Sequence, residues 1–259
     1  MAAKIRADVA LVDRGLVESR TRAQALIMAG IVFSGEAKVT KAGQQIKIDQ
    51  PLEVRGKDHN WVSRGGLKLE KGLKEFGVDP TGFTAIDVGS STGGFTDVLL
   101  QGGAEHVFAV DVGRAQLAWK LRNDDRVTVL EKTNARYLTD VEITCPVDIV
   151  VCDASFISLR TVLSAAMNFV KDNGRLIALI KPQFEVGKGN VGKGGVVRDP
   201  ALHQAVCDDI EAWLNAMPGW QAKGITESPI KGPEGNIEFL IYGIKSGVES
   251  AEACDVETN

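Results

Sequence analysis

Apolar runs typical of buried strands alternate with helix-like segments along the last two thirds of this chain. The first pair is a strand predicted over residues 84–88 and a helix predicted over residues 94–101. Strands that are joined through helices pair in parallel with right-handed crossovers, and the helices cover both faces of the sheet. The last two strands, over 221–226 and 237–244, have no helix between them, which predicts an antiparallel pair at one edge. The pattern predicts an α/β fold built on a mostly parallel sheet.

The other elements of this region follow the same alternation. An amphipathic helix over residues 64–76 precedes the first strand. The remaining strands are predicted over 106–110, 127–130, 147–152 and 175–180, and the remaining helices over 114–122, 158–170 and 200–217.

A different pattern occupies the first 56 residues. A short helix over 7–14 is followed by a second helix, which begins after Ser19 as N-cap and ends at Gly30, and then by four short strand-like pieces. This is a small α+β module, near the lower size at which a domain folds alone. We therefore divide the chain into a small domain over 1–56, a polar linker over 57–63, the α/β domain over 64–245 and an acidic tail over 246–259, which we expect to be disordered.

Charge is distributed unevenly between these segments. Of the 259 residues, 44% are hydrophobic and 25% are charged, which is the balance of an ordinary soluble protein. Residues 1–68, however, hold 12 Lys and Arg against 7 Asp and Glu. The basic N-terminal end is therefore the expected contact for a polyanion.

Some classes of protein are disfavoured by what the sequence lacks. No window approaches eighteen apolar residues without a charge, and the first residues carry charges where a secretion signal would be apolar. The four cysteines form no C-x-x-C pair, and the three histidines lie far apart. We expect a cytoplasmic protein in a reducing compartment, with no membrane contact and no structural metal.

A glycine-rich turn directly after the first strand of the α/β region is the strongest local signal for a ligand. Glycines there let the backbone approach a ligand closely, and Asp111 at the end of the next strand can accept both hydroxyls of a ribose. The G-x-x-x-G-G spacing differs from the dinucleotide pattern, and the turn holds no lysine for phosphates. A nucleoside without pyrophosphate fits best, which indicates S-adenosylmethionine; a tight turn beside a solvated acid is the alternative. The candidate contacts in the turn are Gly89, Ser91, Thr92, Gly93, Gly94 and Phe95.

A second glycine-rich segment, over residues 187–194, matches the start of a phosphate-binding loop. Gly194 stands where such a loop needs Ser or Thr to hold magnesium, and the segment begins seven residues after its strand. We expect instead a flexible loop over the edge of the active site, in which Lys188 and Lys193 contact RNA phosphates.

Polar side chains end two later strands of the predicted sheet. Asp153 follows the strand over 147–152 and Lys181 follows the strand over 175–180, and the carboxyl ends of such strands line the ligand crevice. Helix capping by Asp153 and simple solvent exposure of Lys181 are equally good explanations at this stage. Glu238, just before the last strand, indicates little by itself.

Two arginines lie where a helix disfavours them. Arg20 and Arg22 fall in the first turn of the second N-terminal helix, whose dipole repels cations there. An external phosphate would relieve this conflict, and Arg6, Arg14, Lys38 and Lys41 could widen the basic patch. Any one of these charges could instead be solvated without a partner.

Longer strings of residues resemble a known family. Residues 5–54 resemble an S4 RNA-binding domain, and residues 62–245 resemble an FtsJ/RrmJ-type S-adenosylmethionine-dependent RNA methyltransferase. The pairing, with the strings SRGGLKL (63–69), STGGF (91–95), SFISL (155–159) and KPQFE (181–185), is similar to the TlyA family of ribosomal RNA 2′-O-methyltransferases. The resemblance implies a Rossmann-like class I methyltransferase sheet, S-adenosylmethionine as cofactor, and a cytidine in ribosomal RNA or a ribosomal subunit as target.

The resemblance also assigns site residues. It implies a catalytic tetrad of Lys68, Asp153, Lys181 and Glu238, and thereby selects Lys68 over its neighbours Lys71 and Lys74, which periodicity could not do. It places Asn134 near the adenine and adds Asp153 to the cofactor contacts. Where the family often has Leu after the tetrad aspartate, this chain has Ala154, which leaves the carboxylate intact.

The implied mechanism assigns Lys181 as the base, or as the group that steers a lone pair of the ribose hydroxyl. A lysine in water is protonated, so this role requires a pKa lowered by burial or by the neighbouring Lys68. The other three side chains would hold the geometry. The alternatives are a non-catalytic RNA-binding protein with a degenerate methyltransferase scaffold and, since proteins of this family have been called haemolysins, a membrane-active toxin. The sequence leaves the oligomeric state open.

Overall fold

The computed structural model describes residues 4–17, 19–55, 59–232 and 234–247. The chain forms two units, one reaching to Asn60 and the other beginning at Trp61. Residue 56, at the end of the expected small domain, the first two linker residues, 57 and 58, and most of the expected tail lie outside the described residues. The end of the expected linker belongs to the second unit, where the Val62 N–H donates to the Asp97 carboxylate at 2.8 Å.

The first unit packs two helices with short antiparallel strands. Its elements are β1 (Lys4–Arg6), α1 (Ala7–Asp13), α2 (Arg20–Met28), β2 (Val32–Ser34), β3 (Ala37–Lys38), β4 (Gln45–Lys47) and β5 (Glu53–Val54). β1 pairs with β4, and β2 lies between β3 and β5. The predicted N-cap of the second helix is confirmed, since Ser19 Oγ accepts the Arg22 N–H at 3.2 Å. Leu11, Ala23 and Ile27 are buried in the core of this unit.

The second unit continues the alternation of strands and helices. Its strands are β6 (Thr84–Val88), β7 (His106–Asp111), β8 (Val127–Glu131), β9 (Val147–Cys152), β10 (Val170–Ile180), β11 (Trp220–Glu227) and β12 (Phe239–Lys245). Its α-helices are α3 (Gly66–Glu75), α4 (Gly94–Gln101), α5 (Trp119–Arg122), α6 (Leu159–Val162), α7 (Pro182–Glu185) and α8 (Pro200–Ala216). Short 3₁₀ turns occupy Ala135–Tyr137, Ala166–Phe169 and Lys188–Asn190.

These seven strands form one sheet in the order β11-β12-β10-β9-β6-β7-β8. Strands β6 to β10 pair in parallel, whereas β12 runs antiparallel to both of its neighbours, β10 and β11. The predicted mostly parallel sheet and its antiparallel edge pair are therefore confirmed. The chain order reverses at β6, which has β7 on one side and β9 on the other. Open α/β sheets bind ligands beyond the carboxyl ends of the strands at such a switch point.

Helices cover both faces of this sheet. Side chains alternate along each strand, so that Ile86 and Val150 enter one core while Ala85 and Ile149 enter the other. Residues of α6 and α8 complete the first core, and residues of α3 and α4 complete the second. The site described below lies in this second unit.

Two predicted helices are shorter than their periodicity indicated. Of residues 114–122 only Trp119–Arg122 is helical, because the Glu131 carboxylate accepts the N–H groups of Ala115 and Gln116 at 2.8 and 3.0 Å and holds that stretch as a loop. Of residues 158–170 only Leu159–Val162 is α-helical, and β10 already begins at Val170.

Candidate active site

The glycine-rich turn begins where two strands end side by side. Val88 of β6 pairs with Cys152 of β9, so Gly89 lies next to the segment that leaves β9. A Cβ atom at Gly89 would lie 2.9 Å from the Ala154 Cα atom, and the residue has φ +82°. Only glycine combines that conformation with that approach. The backbone between the two strands is thereby exposed to a ligand.

A second close approach brings α3 to the same edge of the sheet. A Cβ atom at Gly94, the first residue of α4, would lie 2.8 Å from the backbone nitrogen of Gly66, the first residue of α3. The two helix starts can meet only because neither carries a large side chain there. Lys68, in the first turn of α3, consequently reaches the carboxyl ends of the strands.

One glycine of the turn packs closely against two leucines. A Cβ atom at Gly93 would lie 2.3 Å from Leu121 and 2.8 Å from Leu117, and φ is +96°. Its lack of a side chain lets α4 begin tightly against α5, and Gly93 is not among the residues that line the two cavities described below. Its assignment as a cofactor contact stays a prediction.

Four charged side chains meet beyond the strand ends. Lys68 Nζ lies 2.7 Å from Glu238 Oε2 and 3.2 Å from Asp153 Oδ2. Lys181 Nζ lies 2.6 Å from Asp153 Oδ1, and it donates to the Ser155 Oγ atom at 2.9 Å and to the Asp153 carbonyl at 3.2 Å. The two lysines and Glu238 are buried, and Asp153 is partly exposed. The structure thus brings together all four residues of the tetrad that the family resemblance implied.

Strand pairing explains why residues so distant in sequence converge. Ile180, the last residue of β10, pairs with Phe239, the first residue of the antiparallel β12. Lys181 and Glu238 are the residues just beyond that pair, so they lie at the same edge. Burial decides the alternative that was open for Lys181, which is 6% exposed and not a solvated surface charge.

The carboxylates determine the charge of Lys68. Burial lowers the pKa of Lys68, but the charges of Asp153 and Glu238, together with their hydrogen bonds, outweigh burial and raise it above its ordinary value. Lys68 therefore remains a cation at any physiological pH. It neutralises charge within a cluster that holds two acids.

A further acid, Asp87, lies at the end of β6 and was not predicted as a site residue. Burial raises its pKa to about 7, although Thr96 donates to its Oδ2 atom from the backbone at 3.0 Å and from the hydroxyl at 2.7 Å. Its Oδ1 atom is buried without a hydrogen-bond partner among the described residues. Asp87 lines the cavity that contains the tetrad.

Two cavities open at this edge of the sheet. The first, which we call the catalytic cavity, has a volume of about 270 Å³ and contains the four tetrad residues. The second, the nucleoside cavity, has a volume of about 450 Å³ and lies over the ends of β6 and β7. The residues that line both are Gly89, Ser91, Asp153, Ser155 and Phe156. A ligand that fills the nucleoside cavity can therefore extend a reactive group past Asp153 into the catalytic cavity.

The nucleoside cavity has the chemistry that an adenosyl group requires. The carboxylate of Asp111 is held by the N–H groups of Ser91 and Gly113 at 2.8 and 2.6 Å, and each oxygen keeps capacity for a ribose hydroxyl. Asn134 lines the far wall, where its side chain also accepts the Arg136 N–H at 3.1 Å. Thr92, Gly94 and Phe95 line the catalytic cavity instead. These residues fit S-adenosylmethionine with its adenosine in one cavity and its methionine end in the other.

An exposed aromatic ring stands between the cavities. Phe156 is 88% exposed and has φ +65°, a conformation that is costly for a bulky residue. Its ring lies 5.1 Å from that of Phe184, also on the wall of the catalytic cavity. Phe156 was not predicted as a site residue, although it belongs to the string SFISL (155–159) that carries the family resemblance. An aromatic residue three positions after a strand-end acid is the available signal.

Three of the basic residues that were predicted to bind RNA have partners within the first unit. Arg6 and Arg20 both pair with the buried Asp8, and Arg14 donates to the carbonyl groups of Ile48 and Gln50 at 2.7 Å. The internal carboxylate thus relieves the conflict between Arg20 and its helix end that had suggested an external phosphate.

The other candidate cations are Lys38, Arg22 and Lys41 in the first unit and Lys188 and Lys193 in the second. A Cβ atom at Gly30 would lie 2.8 Å from Lys38 Nζ, so Lys38 lies at the opposite end of α2 from Arg20. Within the described part of the chain, Arg22 and Lys41 show no ion pair. Lys193 is exposed in its loop, and none of the described residues of 187–194 lines either cavity, so the contact of this segment with RNA stays a prediction. The side chain of Lys188 lies outside what the structure describes.

Among the described residues, no group of three or more His, Cys, Asp or Glu side chains has the arrangement of a metal site. The helices in residues 4–17, 19–55, 59–232 and 234–247 include none with the length and hydrophobicity to cross a membrane.

Comparisons with known proteins agree with this geometry. Residues 61–245 match the family model of FtsJ-like methyltransferases. The YqxC protein of Bacillus subtilis is 50% identical over 92% of this chain and 85% of its own length. TlyA of Mycobacterium tuberculosis, named a 16S/23S rRNA (cytidine-2′-O)-methyltransferase, is 46% identical over 93% of this chain and 90% of its own length. A solved structure named as a hemolysin from Streptococcus thermophilus is 42% identical, with a TM-score of 0.75 over 95% of this chain and 90% of that one.

Proposed function

Because the chain belongs to the FtsJ-like methyltransferase family, we propose that it transfers the methyl group of S-adenosylmethionine to the 2′-hydroxyl of a cytidine in ribosomal RNA. The observation that carries this proposal is the position of the tetrad. Lys68, Asp153, Lys181 and Glu238 line a cavity that shares Gly89, Ser91, Asp153, Ser155 and Phe156 with the nucleoside cavity. A hydroxyl group in the catalytic cavity therefore meets the cofactor's reactive end next to an amine.

The residues of this chain have to align the reactants and handle one proton. S-adenosylmethionine supplies a methyl group already activated by its sulfonium. What remains is to hold the ribose hydroxyl in line and to remove its proton, and both tasks need fixed side chains. Lys181 Nζ is fixed by Asp153 and Ser155, within 2.6 and 2.9 Å. We assign Lys181 as the group that orients a lone pair of the hydroxyl toward the methyl group. To receive the proton as well, Lys181 has to be the neutral amine, because an ammonium group has no lone pair.

The other tetrad residues hold Lys181 and balance its charge. Asp153 bridges the two lysines, with Oδ2 toward Lys68 and Oδ1 toward Lys181. Glu238 is buried against Lys68 and keeps it cationic. A fixed cation and a fixed anion beside Lys181 form a preorganised environment that needs no rearrangement when charge develops at the hydroxyl.

The exposed ring of Phe156 supports a nucleotide as the substrate. An aromatic side chain that is 88% exposed and held at a positive φ contributes little to the stability of the fold. Aromatic side chains stack on bases that have left a helical stack. We assign Phe156 as the platform for the base whose ribose enters the catalytic cavity.

The choice of ribosomal RNA as the proposed substrate rests on the named relatives. TlyA of M. tuberculosis is named for cytidines in both 16S and 23S rRNA, and it covers nearly the same length as this chain. The small basic first unit is where we place the S4-like RNA-binding function. A protein that modifies ribosomal RNA works where ribosomes are made, which is why we propose a cytoplasmic location.

Methylation mapping tests the proposal. Purified protein would be incubated with S-adenosylmethionine and 16S and 23S rRNA, as free RNA and within 30S and 50S subunits, and new 2′-O-methyl groups would be mapped. We expect one or more modified cytidines, and none with a Lys181→Ala variant. An equilibrium titration with S-adenosylmethionine separates the alternatives: a degenerate, non-catalytic scaffold would not bind it. Binding without methylation of any ribosomal RNA would reject the substrate that we propose.

A further inference from the structure

Asp8 is enclosed in the first unit, while the two arginines that bind it reach the surface. The Asp8 side chain is 0% exposed, whereas those of Arg6 and Arg20 are 45% and 57% exposed. Arg6 donates from Nε and Nη2 to the two carboxylate oxygens, both at 2.9 Å, and Arg20 Nη2 donates to Oδ2 at 3.1 Å. Gln24 Nε2 also donates to Oδ2, at 3.1 Å, and the Val9 N–H donates to Oδ1 at 3.0 Å.

The carboxylate thereby holds two guanidinium groups side by side. The Nη2 atoms of Arg6 and Arg20 bond to the same oxygen atom, so their separation cannot exceed the sum of those two hydrogen-bond lengths. Two cations this close repel each other unless an anion lies between them. A guanidinium group has five N–H donors, and Asp8 takes two from Arg6 and one from Arg20. Donors on both groups remain for an acceptor in the solvent.

We propose that Asp8 is a positioning residue for RNA, which holds Arg6 and Arg20 as a two-armed clamp for a backbone phosphate. The inference rests on the proposed function, which makes RNA the partner of this unit. Guanidinium groups bind phosphate oxygens in a bidentate manner. Arginines that are already fixed in the free protein lose less conformational freedom when RNA binds.

The charge of Asp8 is constant over the pH range in which RNA binding is measured. The hydrogen bond from Arg6 lowers the pKa of Asp8 well below its usual range, against the effect of burial, and Gln24 and Arg20 add to that lowering. The clamp is therefore assembled at every pH at which RNA is stable.

Removal of the Asp8 charge changes RNA affinity in opposite directions under the two explanations, positioning of the arginines and net charge alone. Asp8→Asn makes the unit more positive by one charge. If only net charge mattered, the variant would bind RNA more tightly and with a steeper dependence on salt. If Asp8 positions the arginines, the variant binds RNA more weakly in spite of the added positive charge.

The experiment compares Asp8→Asn with Asp13→Asn in the full chain. Asp13 is the last residue of the same helix and is exposed, so its replacement changes the charge equally without touching the clamp. Binding to deproteinised 16S and 23S rRNA would be measured over a series of salt concentrations. We expect Asp8→Asn to lose roughly tenfold in affinity and Asp13→Asn to lose none. Binding by Asp8→Asn that equals or exceeds that of Asp13→Asn would overturn the proposal, whereas wild-type protein that binds no RNA would overturn the proposed function itself.

Two further measurements separate positioning from a general loss of folding. Gln24→Leu removes one hydrogen bond to Asp8 and no charge, so a folded variant with a smaller loss of affinity supports the clamp even if Asp8→Asn unfolds the unit. In an Arg20→Ala background, Asp8→Asn should reduce RNA affinity by a smaller factor than it does in the wild type, because the effects of substitutions at residues that act together are not additive. Full affinity in Gln24→Leu together with strict additivity in the double variant would overturn the proposal.

Discussion

Lys68 and Glu238 are separated by 170 positions in the chain, yet Nζ of the first lies 2.7 Å from Oε2 of the second. Both side chains are buried, with 9% and 1% of their surfaces exposed. The pair joins the first helix of the second unit to the segment that enters β12, the strand inserted between β10 and β11. It therefore links the catalytic geometry to the stability of the whole unit.

Glu238→Gln should destabilise the protein strongly. The buried cation Lys68 would keep only Asp153 as partner, and the loss of one member of a buried ion pair costs about 3 kcal/mol or more. Chemical denaturation would measure the loss, with the exposed Glu234→Gln as control. The double variant Lys68→Met with Glu238→Leu should regain much of the stability and none of the activity. A Glu238→Gln protein as stable as the control would show that the ion pair does not hold α3 in place.

Lys181→Ala should abolish methyl transfer and leave the cofactor bound. Removal of a positioned proton acceptor lowers turnover by roughly 10²–10⁴-fold, whereas Lys181 lies in the catalytic cavity and not in the nucleoside cavity. Single-turnover rates and an S-adenosylmethionine titration would be measured side by side. Lys74→Ala, on the exposed side of α3, is the matched control. Substantial turnover by Lys181→Ala at saturating cofactor would refute the role.

Asp87→Asn should make stability less dependent on pH. Because burial raises the pKa of Asp87 to about 7, the folded protein keeps its proton between about pH 4 and 7 while the unfolded chain releases it. Wild-type stability from this group is greatest at low pH and falls as pH rises toward 7. Each pKa unit is worth about 1.4 kcal/mol. The free energy of unfolding of the variant should therefore rise relative to that of the wild type as pH increases from about 4 to 7, and the difference between the two should become constant above about pH 7.

Thermal unfolding from pH 5 to 8 would test this expectation, with Asp125→Asn as the exposed control. A difference between Asp87→Asn and wild type that does not change with pH would mean that the carboxyl group is ionised throughout.

Phe156→Ala should impair the use of RNA without weakening the fold. Stacking on an aromatic side chain is worth about 1–3 kcal/mol per base, so we expect the KM for ribosomal RNA to rise about tenfold. The melting temperature should not change, since the side chain is 88% exposed. Trp119→Ala is the control, because Trp119 is 77% exposed and lines neither cavity. Equal RNA kinetics in the two variants would exclude the stacking platform.

Local signals were sufficient to predict the sheet and the turn. The strands over 84–88 and 147–152 have the predicted boundaries, because an apolar run between polar residues depends little on its surroundings. The loop before α5 could not be predicted, since the carboxylate of Glu131, which lies on a different strand, accepts its N–H groups. The periodicity of a segment cannot reveal that a distant side chain will accept the backbone N–H groups that a helix would otherwise use.

The site residues show the same limit. The glycines at positions 89 and 93 look equivalent in the sequence, but one opens toward the cavities and the other packs against Leu121. The helix dipole indicated an external phosphate as the partner of Arg20, and Arg6 was expected to widen the same basic patch. Nothing in the spacing indicated that Asp8 would bind both. The sequence left open whether Lys181 lines the ligand crevice or is a solvated surface charge, and its burial in the folded sheet decides between the two. Each of these depends on pairing between distant parts of the chain.

The position of β12 late in the chain determines when, during synthesis, the four charged side chains can come together. Glu238 directly precedes this strand, which is the last one in the described chain, so a polypeptide still emerging from the ribosome holds three of the four charged groups and lacks the fourth. The proposed tetrad is therefore complete only after Glu238 has been synthesised, and a polypeptide released before that point would lack one of its four members.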